Sequence, residues 1–327
     1  MPRVGAIDCG TNSIRLLVAD VELARDPAPV LTDVVREMEV VRLGYGVDRT
    51  GRIDPAAMER TLAAAARYAR TCEELGAEGV RFVATSASRD ASNAGEFIEG
   101  VRAAFAHFGI APEVVSGGEE AELSFTGATG DVVAAGHPGP YLVCDIGGGS
   151  TELVRGEATP AGARVVQSYS ADVGCVRMTE RHELSDPPTA AEVAAATRDI
   201  EAALDAIVDT VDVGGAGTLV GLAGSITTVT AHALRLTAYE PDRIHLAVVP
   251  AERIAESATE LLAMPRTERA ALGFMHPGRV DVIGAGALVW ARVVARVTAA
   301  SPDVRVVTSE HDILDGIALS AARHLLG

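Results

Sequence analysis

Asp8-Cys9-Gly10-Thr11-Asn12-Ser13-Ile14-Arg15-Leu16-Leu17 and Asp145-Ile146-Gly147-Gly148-Gly149-Ser150-Thr151-Glu152-Leu153-Val154 are one construction written twice. Asp, Gly, Ser and Leu recur in register, and an apolar run (Val4 to Ile7; Tyr141 to Cys144) leads into each Asp. A strand that ends in Asp, turns through small residues and resumes as an apolar strand is a hairpin with backbone N–H groups exposed at its tip. Gly and small polar residues let such a tip approach a phosphate closely. The Asp beside it suits Mg²⁺, which takes carboxylates and waters together with phosphate oxygens. A tight turn with a capping Asp accounts for either hairpin alone. Its repetition in both halves points to two lobes gripping a phosphorylated ligand between them.

At 327 residues the chain is long enough for two domains. Hydrophobic residues make up 48% of it and aromatic ones 4%, so its cores must be filled by Val, Leu, Ile and Ala. No apolar run reads as long enough to span a bilayer. The N-terminus enters a strand directly, without the basic and apolar regions of a signal peptide. The expectation is a soluble, cytoplasmic protein with no membrane partner. Cys9, Cys72, Cys144 and Cys175 form no close pair in sequence, which disfavours a zinc site and a disulfide framework alike; buried reduced thiols are expected at Cys9 and Cys144.

The net charge of −17 weighs against nucleic-acid binding, which depends on clustered cations. A phosphate ligand must then be held against the overall field by local backbone donors, a divalent cation and selected arginines. The chain contains no lysine. That excludes the Walker-A loop, whose chemistry needs one on the phosphates.

Along the chain, a third apolar segment (Val34 to Leu43) follows the first hairpin, then a helix capped by Asp54 with Pro55 at its first position and ending before Gly76. A strand over Val80 to Ala84, a loop over Thr85 to Asn93 and a helix around Gly95 to Phe108 come next. A strand at Glu113 to Val115 runs into Ser116-Gly117-Gly118-Glu119-Glu120-Ala121, a helix start. Gly136-His137-Pro138-Gly139-Pro140 marks the hinge. Beyond the second hairpin a strand is expected at Arg164 to Ser170, and Thr189 with Glu192 forms a capping box for a long helix. Strand Thr218 to Leu222 meets Ala223-Gly224-Ser225-Ile226-Thr227, a third junction of strand, small loop and helix. Helices near 251–263 and 280–298, a strand at Val304 to Val307 and a helix from Ile313 follow. Strands and helices alternate, so the class is α/β, with lobes over 1–135 and 136–311 and a helix over 312–327 packing back on the first.

Glu119 and Glu120 fall at a helix N-terminus, where acidic residues also serve the dipole. Neighbours on a helix point about 100° apart, so at most one aims into a cleft; there it is a candidate base for water. Arg89 lies at the C-terminal end of a strand, where α/β sheets bind ligands, and a guanidinium holds phosphate bidentately. A solvated arginine is the plain alternative. Glu152, just past the second tip, is placed to serve a metal or its water, or to face solvent. His182, His276 and His311 have no partners at ligand spacing and read as structural or surface residues.

Asp8-x-Gly-Thr-Asn-Ser, Ser116-Gly-Gly-Glu-Glu-Ala, Asp145-Ile-Gly-Gly-Gly-Ser-Thr-Glu and Gly221-Leu-Ala-Gly-Ser, in this order, resemble the exopolyphosphatase / guanosine pentaphosphate phosphatase (Ppx/GppA) family. The likeness covers essentially the whole chain and is greatest to short two-domain actinobacterial members. It implies the two-lobed actin-like, sugar-kinase-like (ribonuclease H-like) fold with a cleft between lobes. By the same resemblance Glu120 is the water-activating base, and Asp145 and Glu152 serve Mg²⁺ and its water with Asp8 assisting. Asn12, Ser13, Gly147, Gly148, Gly149 and Ser150 line the phosphate site, Arg89 contacts polyphosphate, and Gly224 and Ser225 form a third phosphate-side loop. Longer relatives often carry Arg where this chain has Leu314, so that contact is absent here.

The reading is a Mg²⁺-dependent exopolyphosphatase, with Mn²⁺ as a substitute, that removes the terminal phosphate of inorganic polyphosphate by attack of water. Short chains are preferred, and a homodimer is expected. Its rivals are hydrolysis of guanosine pentaphosphate, a non-enzymatic polyphosphate or alarmone sensor, and an actin-like filament protein or sugar kinase. The glutamate pair favours hydrolysis over transfer to a sugar.

Overall fold

The computed structural model describes residues 1–23, 29–159 and 162–326. Among these residues the chain forms two five-stranded sheets of the same topology. In the first, β1 (Arg3–Cys9) and β2 (Ser13–Glu22) make an antiparallel hairpin, β3 (Val30–Val40) extends it on one side, and β4 (Gly79–Ala84) and β5 (Glu113–Val114) continue parallel to β1 on the other. In the second, β6 (Tyr141–Ile146), β7 (Thr151–Thr159) and β8 (Gly162–Ala171) repeat the meander, and β9 (Thr218–Leu222) and β10 (Arg305–Thr308) repeat the parallel extension. The duplication seen in the two Asp motifs therefore extends to the whole sheet.

The chain divides into two compact units. Unit 1 holds Met1–Gly130 and the segment from Asp312; unit 2 holds Asp131–Ala158 and Ala163–His311. The division at Gly130 falls inside the helix Gly117–Ala134, ahead of the Gly136 to Pro140 segment.

Side chains alternate across a strand, and in unit 1 both faces of the sheet are covered. Ile7, Cys9, Ile14, Leu16 and Val18 face a core with Tyr68, Phe97 and Phe105. Val4, Ala6, Leu17 and Ala19 face the opposite way, onto Ile313, Leu314, Ile317, Ala318 and Ala322. The helix Ile313–Leu326 thus supplies one core of unit 1; Gly327, the last residue of the expected terminal helix, lies outside the described residues. Leu314 is 1% exposed within this core, so its position presents no surface to a polyanion. The helix crosses Gly117–Ala134 at two glycines. A Cβ on Gly127 would lie 1.9 Å from the carbonyl oxygen of Asp312, and one on Gly316 2.0 Å from that of Leu123. Backbone cannot yield as a side-chain tip does, so Gly127→Ala is expected to cost about 1–3 kcal/mol, read as a lower urea midpoint; an unchanged midpoint would show that the two helices can part freely.

Several local expectations hold. Asp54 caps Pro55–Glu74 by accepting from the N–H groups of Ala56 and Ala57, and Thr189 and Glu192 form the capping box of Ala190–Thr210. All four cysteines are buried and free. Two expectations fail. The segment after β4 is not a simple loop, because Ser86–Asp90 is a short helix whose first turn bonds Ser88 and Arg89 N–H to Thr85 O. The helix Ile283–Ala300 is also long and apolar enough by composition to cross a membrane. It runs through the core of unit 2, with Trp290, Val289 and Ala287 fully buried, and that burial accounts for its apolarity.

Candidate active site

In unit 1 the first motif closes as expected: Cys9 pairs with Ile14, and the N–H of Gly10 donates to the carbonyl of Ser13 at 2.9 Å. The carbonyls at the tip are tied down. Thr11 O accepts from Gly44 N at 2.8 Å, and Asn12 O accepts from Val41 N and Arg42 N. Among the described residues no acceptor stands against the backbone N–H groups of Thr11 and Asn12. The tip is a donor surface of the kind an anion occupies.

Cross-strand register sets Asp8 directly opposite Arg15, on the face toward Asp312. Arg15 Nη2 and Nε donate to Asp8 Oδ2 at 2.7 and 2.9 Å, and its Nη1 pairs with Asp312. Burial pushes the Asp8 carboxyl up against the pull of Arg15. Burial would do the same to Asp312, but Arg15 and the Leu314 N–H outweigh it and hold that carboxyl low. The Asp of this hairpin therefore already has a cation of its own.

The glutamate pair diverges as helix geometry requires. Glu119 turns outward to Arg81 at 2.7 Å, in a surface cluster with Glu113. Glu120 turns inward, is 8% exposed, and accepts from Arg89 Nη1 at 2.6 Å; Arg89 also donates to Val115 O at 2.9 Å. Burial raises the Glu120 carboxyl to about 6, with Arg89 opposing and Asp8 assisting the rise. Arg89, expected to meet substrate, pairs here with the glutamate through Nη1. A recess of about 680 Å³ lies in the same unit, floored by Ile53, Met58 and Leu62 and edged by Tyr45, Arg49 and Arg52.

In unit 2 the second motif makes the same turn, with Gly147 N donating to Ser150 O at 3.0 Å. Here the first turn of Cys175–Arg181 holds the tip. Cys175 N bonds Gly147 O, while Val176 N and Arg177 N bond Gly148 O. This contact needs Gly174, since a Cβ there would sit 2.5 Å from Gly148 O. No acceptor among the described residues faces the N–H groups of Gly148, Gly149 and Ser150.

The residue opposite Asp145 is Glu152, not an arginine. Both are buried, at 7% and 1% exposure, and Glu152 accepts from Ser170 Oγ at 2.6 Å. The register sets the two carboxylates side by side on one face of the hairpin. Carboxylate oxygens are the donor set that Mg²⁺ or Mn²⁺ accepts, so these residues fit such an ion.

The third motif adds strain and a cation that the sequence reading missed. Ala223 sits at φ 66°, a left-handed conformation that costs a non-glycine residue about 1–2 kcal/mol, at the point where β9 turns into Ala223–Ala233. Gly224 follows, and a Cβ on it would lie 2.2 Å from Arg279 Cζ. The Arg279 guanidinium therefore packs on the Gly224 backbone, beside Ser225, whose Oγ would lie 2.3 Å from a Cβ placed on Gly286. Arg15 was also missed, although hairpin register alone places it across from Asp8. For Arg279 the only local signal is the turn His276-Pro277-Gly278-Arg279, in which His276 Nδ1 accepts from Gly278 N.

The histidines are less idle than their spacing suggests. His182 Nε2 lies 3.1 Å from Asp199. His311 and His245 both reach Asp131, at 2.6 and 3.3 Å.

The model of the Ppx/GppA phosphatase family matches residues 20–321. Exopolyphosphatase 2 of Mycobacterium tuberculosis is 50% identical over 98% of this chain and 99% of its own length. A solved exopolyphosphatase-like protein, 42% identical, superposes with a TM-score of 0.91 over 99% of both chains. The Ppx/GppA family member of Aquifex aeolicus, 28% identical, gives 0.77 over 100% of this chain and 99% of that one.

Proposed function

Since the chain belongs to the Ppx/GppA phosphatase family and has its actin-like two-domain fold, we propose that it is a phosphoanhydride hydrolase that removes the terminal phosphate of inorganic polyphosphate by attack of water. The observation that carries this reading is Glu120. It is a buried carboxylate with its carboxyl raised to about 6, gripped by Arg89, which suits a general base working near neutral pH. Each tip by itself offers N–H donors that suit phosphate oxygens, and within unit 2 Arg279 beside Gly224 adds a cation. Phosphoryl transfer needs mainly such positioning and charge neutralisation. Asp145 and Glu152 would hold Mg²⁺ or Mn²⁺, which neutralises phosphate charge when bound. Ser170 fixes the Glu152 carboxylate in the meantime.

A second reading is guanosine pentaphosphate, whose base the apolar floor of the recess beside Tyr45 suits. With an acidic surface and a core residue at position 314, the chain has little to hold a long polyanion, so short polyphosphates are preferred. The test compares phosphate release from polyphosphate, pentaphosphate and ATP, and follows a long polymer on a gel. Release from polyphosphate, with a gradual downward shift of the whole population, is expected. Turnover of ATP alone, with release of ADP, would overturn the proposal; complete digestion beside untouched polymer would overturn the chain-length preference.

A further inference from the structure

One ligand atom each from Asp131, His245 and His311 lies within 4.8 Å of the others, all three in unit 2. The two rings approach to 4.8 Å between centroids. His245 Nε2 and His311 Nδ1 converge on the same atom, Asp131 Oδ2. The backbone around them is braced. His311 N donates to Ser309 Oγ, which donates back to His311 O. His245 closes the short helix Pro241–Ile244 through its N–H to Pro241 O, and Leu246 follows at φ 60° with its N–H on Thr308 O. Each side chain is half-buried, open enough for solvent to complete a coordination shell.

We propose that Asp131, His245 and His311 form a binding site for a divalent transition-metal ion of the Zn²⁺ class, separate from the carboxylates of the second hairpin. Two imidazoles and one carboxylate are borderline donors that suit Zn²⁺, Co²⁺, Ni²⁺ or Fe²⁺ rather than Mg²⁺. Metal–ligand bonds of about 2.0–2.1 Å in tetrahedral geometry set neighbouring ligand atoms about 3.3 Å apart. The pair from His245 to Asp131 is already at 3.3 Å, and the pair from His311, at 2.6 Å, must open by under an ångström.

Protons balance as follows. Glu310 N donates to His245 Nδ1 at 3.2 Å, so the neutral ring carries its proton on Nε2, toward Asp131. On metal binding that proton leaves Nε2 and Nδ1 becomes protonated, so the Glu310 N–H turns away; the His311 proton moves from Nδ1 to Nε2. The Glu310 carboxylate accepts from Tyr239, whose hydroxyl also bonds Thr227 in the helix after Gly224. Metal at this site is thereby linked to the third phosphate-side loop.

Co²⁺ added to chelator-treated full-length protein should give the visible d–d absorption of a low-coordinate nitrogen and oxygen site, saturating at one equivalent. Excess Mg²⁺ should not displace it, Zn²⁺ should displace it, and Asp145→Asn should leave it intact. Calorimetry with Zn²⁺ should show binding weakened by roughly 10–100-fold or more in His245→Ala and in His311→Ala. If wild-type protein takes up no Co²⁺, or if the signal is lost in Asp145→Asn and kept in folded His311→Ala, the proposal is wrong. The cluster is then a carboxylate clasped by two imidazole donors.

Discussion

Glu120→Gln is expected to cut turnover by ~10²–10⁴-fold and to leave substrate binding largely intact, whereas Glu119→Gln, whose side chain lies on Arg81, changes little. The Gln amide oxygen still accepts from Arg89, so geometry survives and only the proton acceptor is lost. The wild-type rate should fall as pH drops through about 6, the value to which burial raises this carboxyl. The same shift has a stability consequence of opposite sense. A carboxyl raised in the folded state contributes stability that is fully present below its ordinary value of 4.5 and is lost as pH rises through about 6. Keeping it ionised at neutral pH costs about 2 kcal/mol, so Glu120→Gln should melt higher than wild type at pH 7–8 and lose that gain near pH 4. Equal small rate losses from both substitutions would remove Glu120 from its role.

Chelation should abolish hydrolysis, and Mg²⁺ or Mn²⁺ should restore it, with Asp145→Asn raising the metal needed as well as slowing the reaction. The second effect follows from the pair it breaks. Asp145 and Glu152 face one another across the hairpin while buried, so a bound cation stabilises the fold in proportion to its saturation. Wild-type protein should therefore gain melting temperature on addition of Mg²⁺, while Asp145→Asn should respond less to it. Full activity in excess chelator would make these residues structural. In unit 1 the residue opposite Asp8 is Arg15, its ion-pair partner, and Asp8→Asn should shift the metal requirement much less.

Most of the fold was legible because its signals are local. A tip built of Gly and Ser after an Asp encodes its own turn, and Asp54-Pro55 and Thr189…Glu192 encode helix starts within a few residues. The glutamate pair was legible for the same reason, since helical pitch alone separates Glu119 from Glu120. What escaped was long-range. Arg89 faces Glu120 and Arg279 lies on Gly224 only because sheet topology brings distant loops together. Asp131, His245 and His311 share no spacing, since each comes from a different connection. The parting of the units inside Gly117–Ala134 was hidden too, because an unbroken helix gives no composition signal.

The helix Ile313–Leu326 closes the core made by Val4, Ala6, Leu17 and Val83, and this sets a schedule for synthesis. Those late residues leave the ribosome only after the whole of unit 2 has been made. A nascent chain stalled before Ile313 holds β1, β2 and β4 with one apolar face bare, the kind of surface that chaperones exist to shield. Unit 2, encoded in between, has all of its own strands by His311. Vectorial translation therefore inverts the order of assembly: the half begun first is finished last.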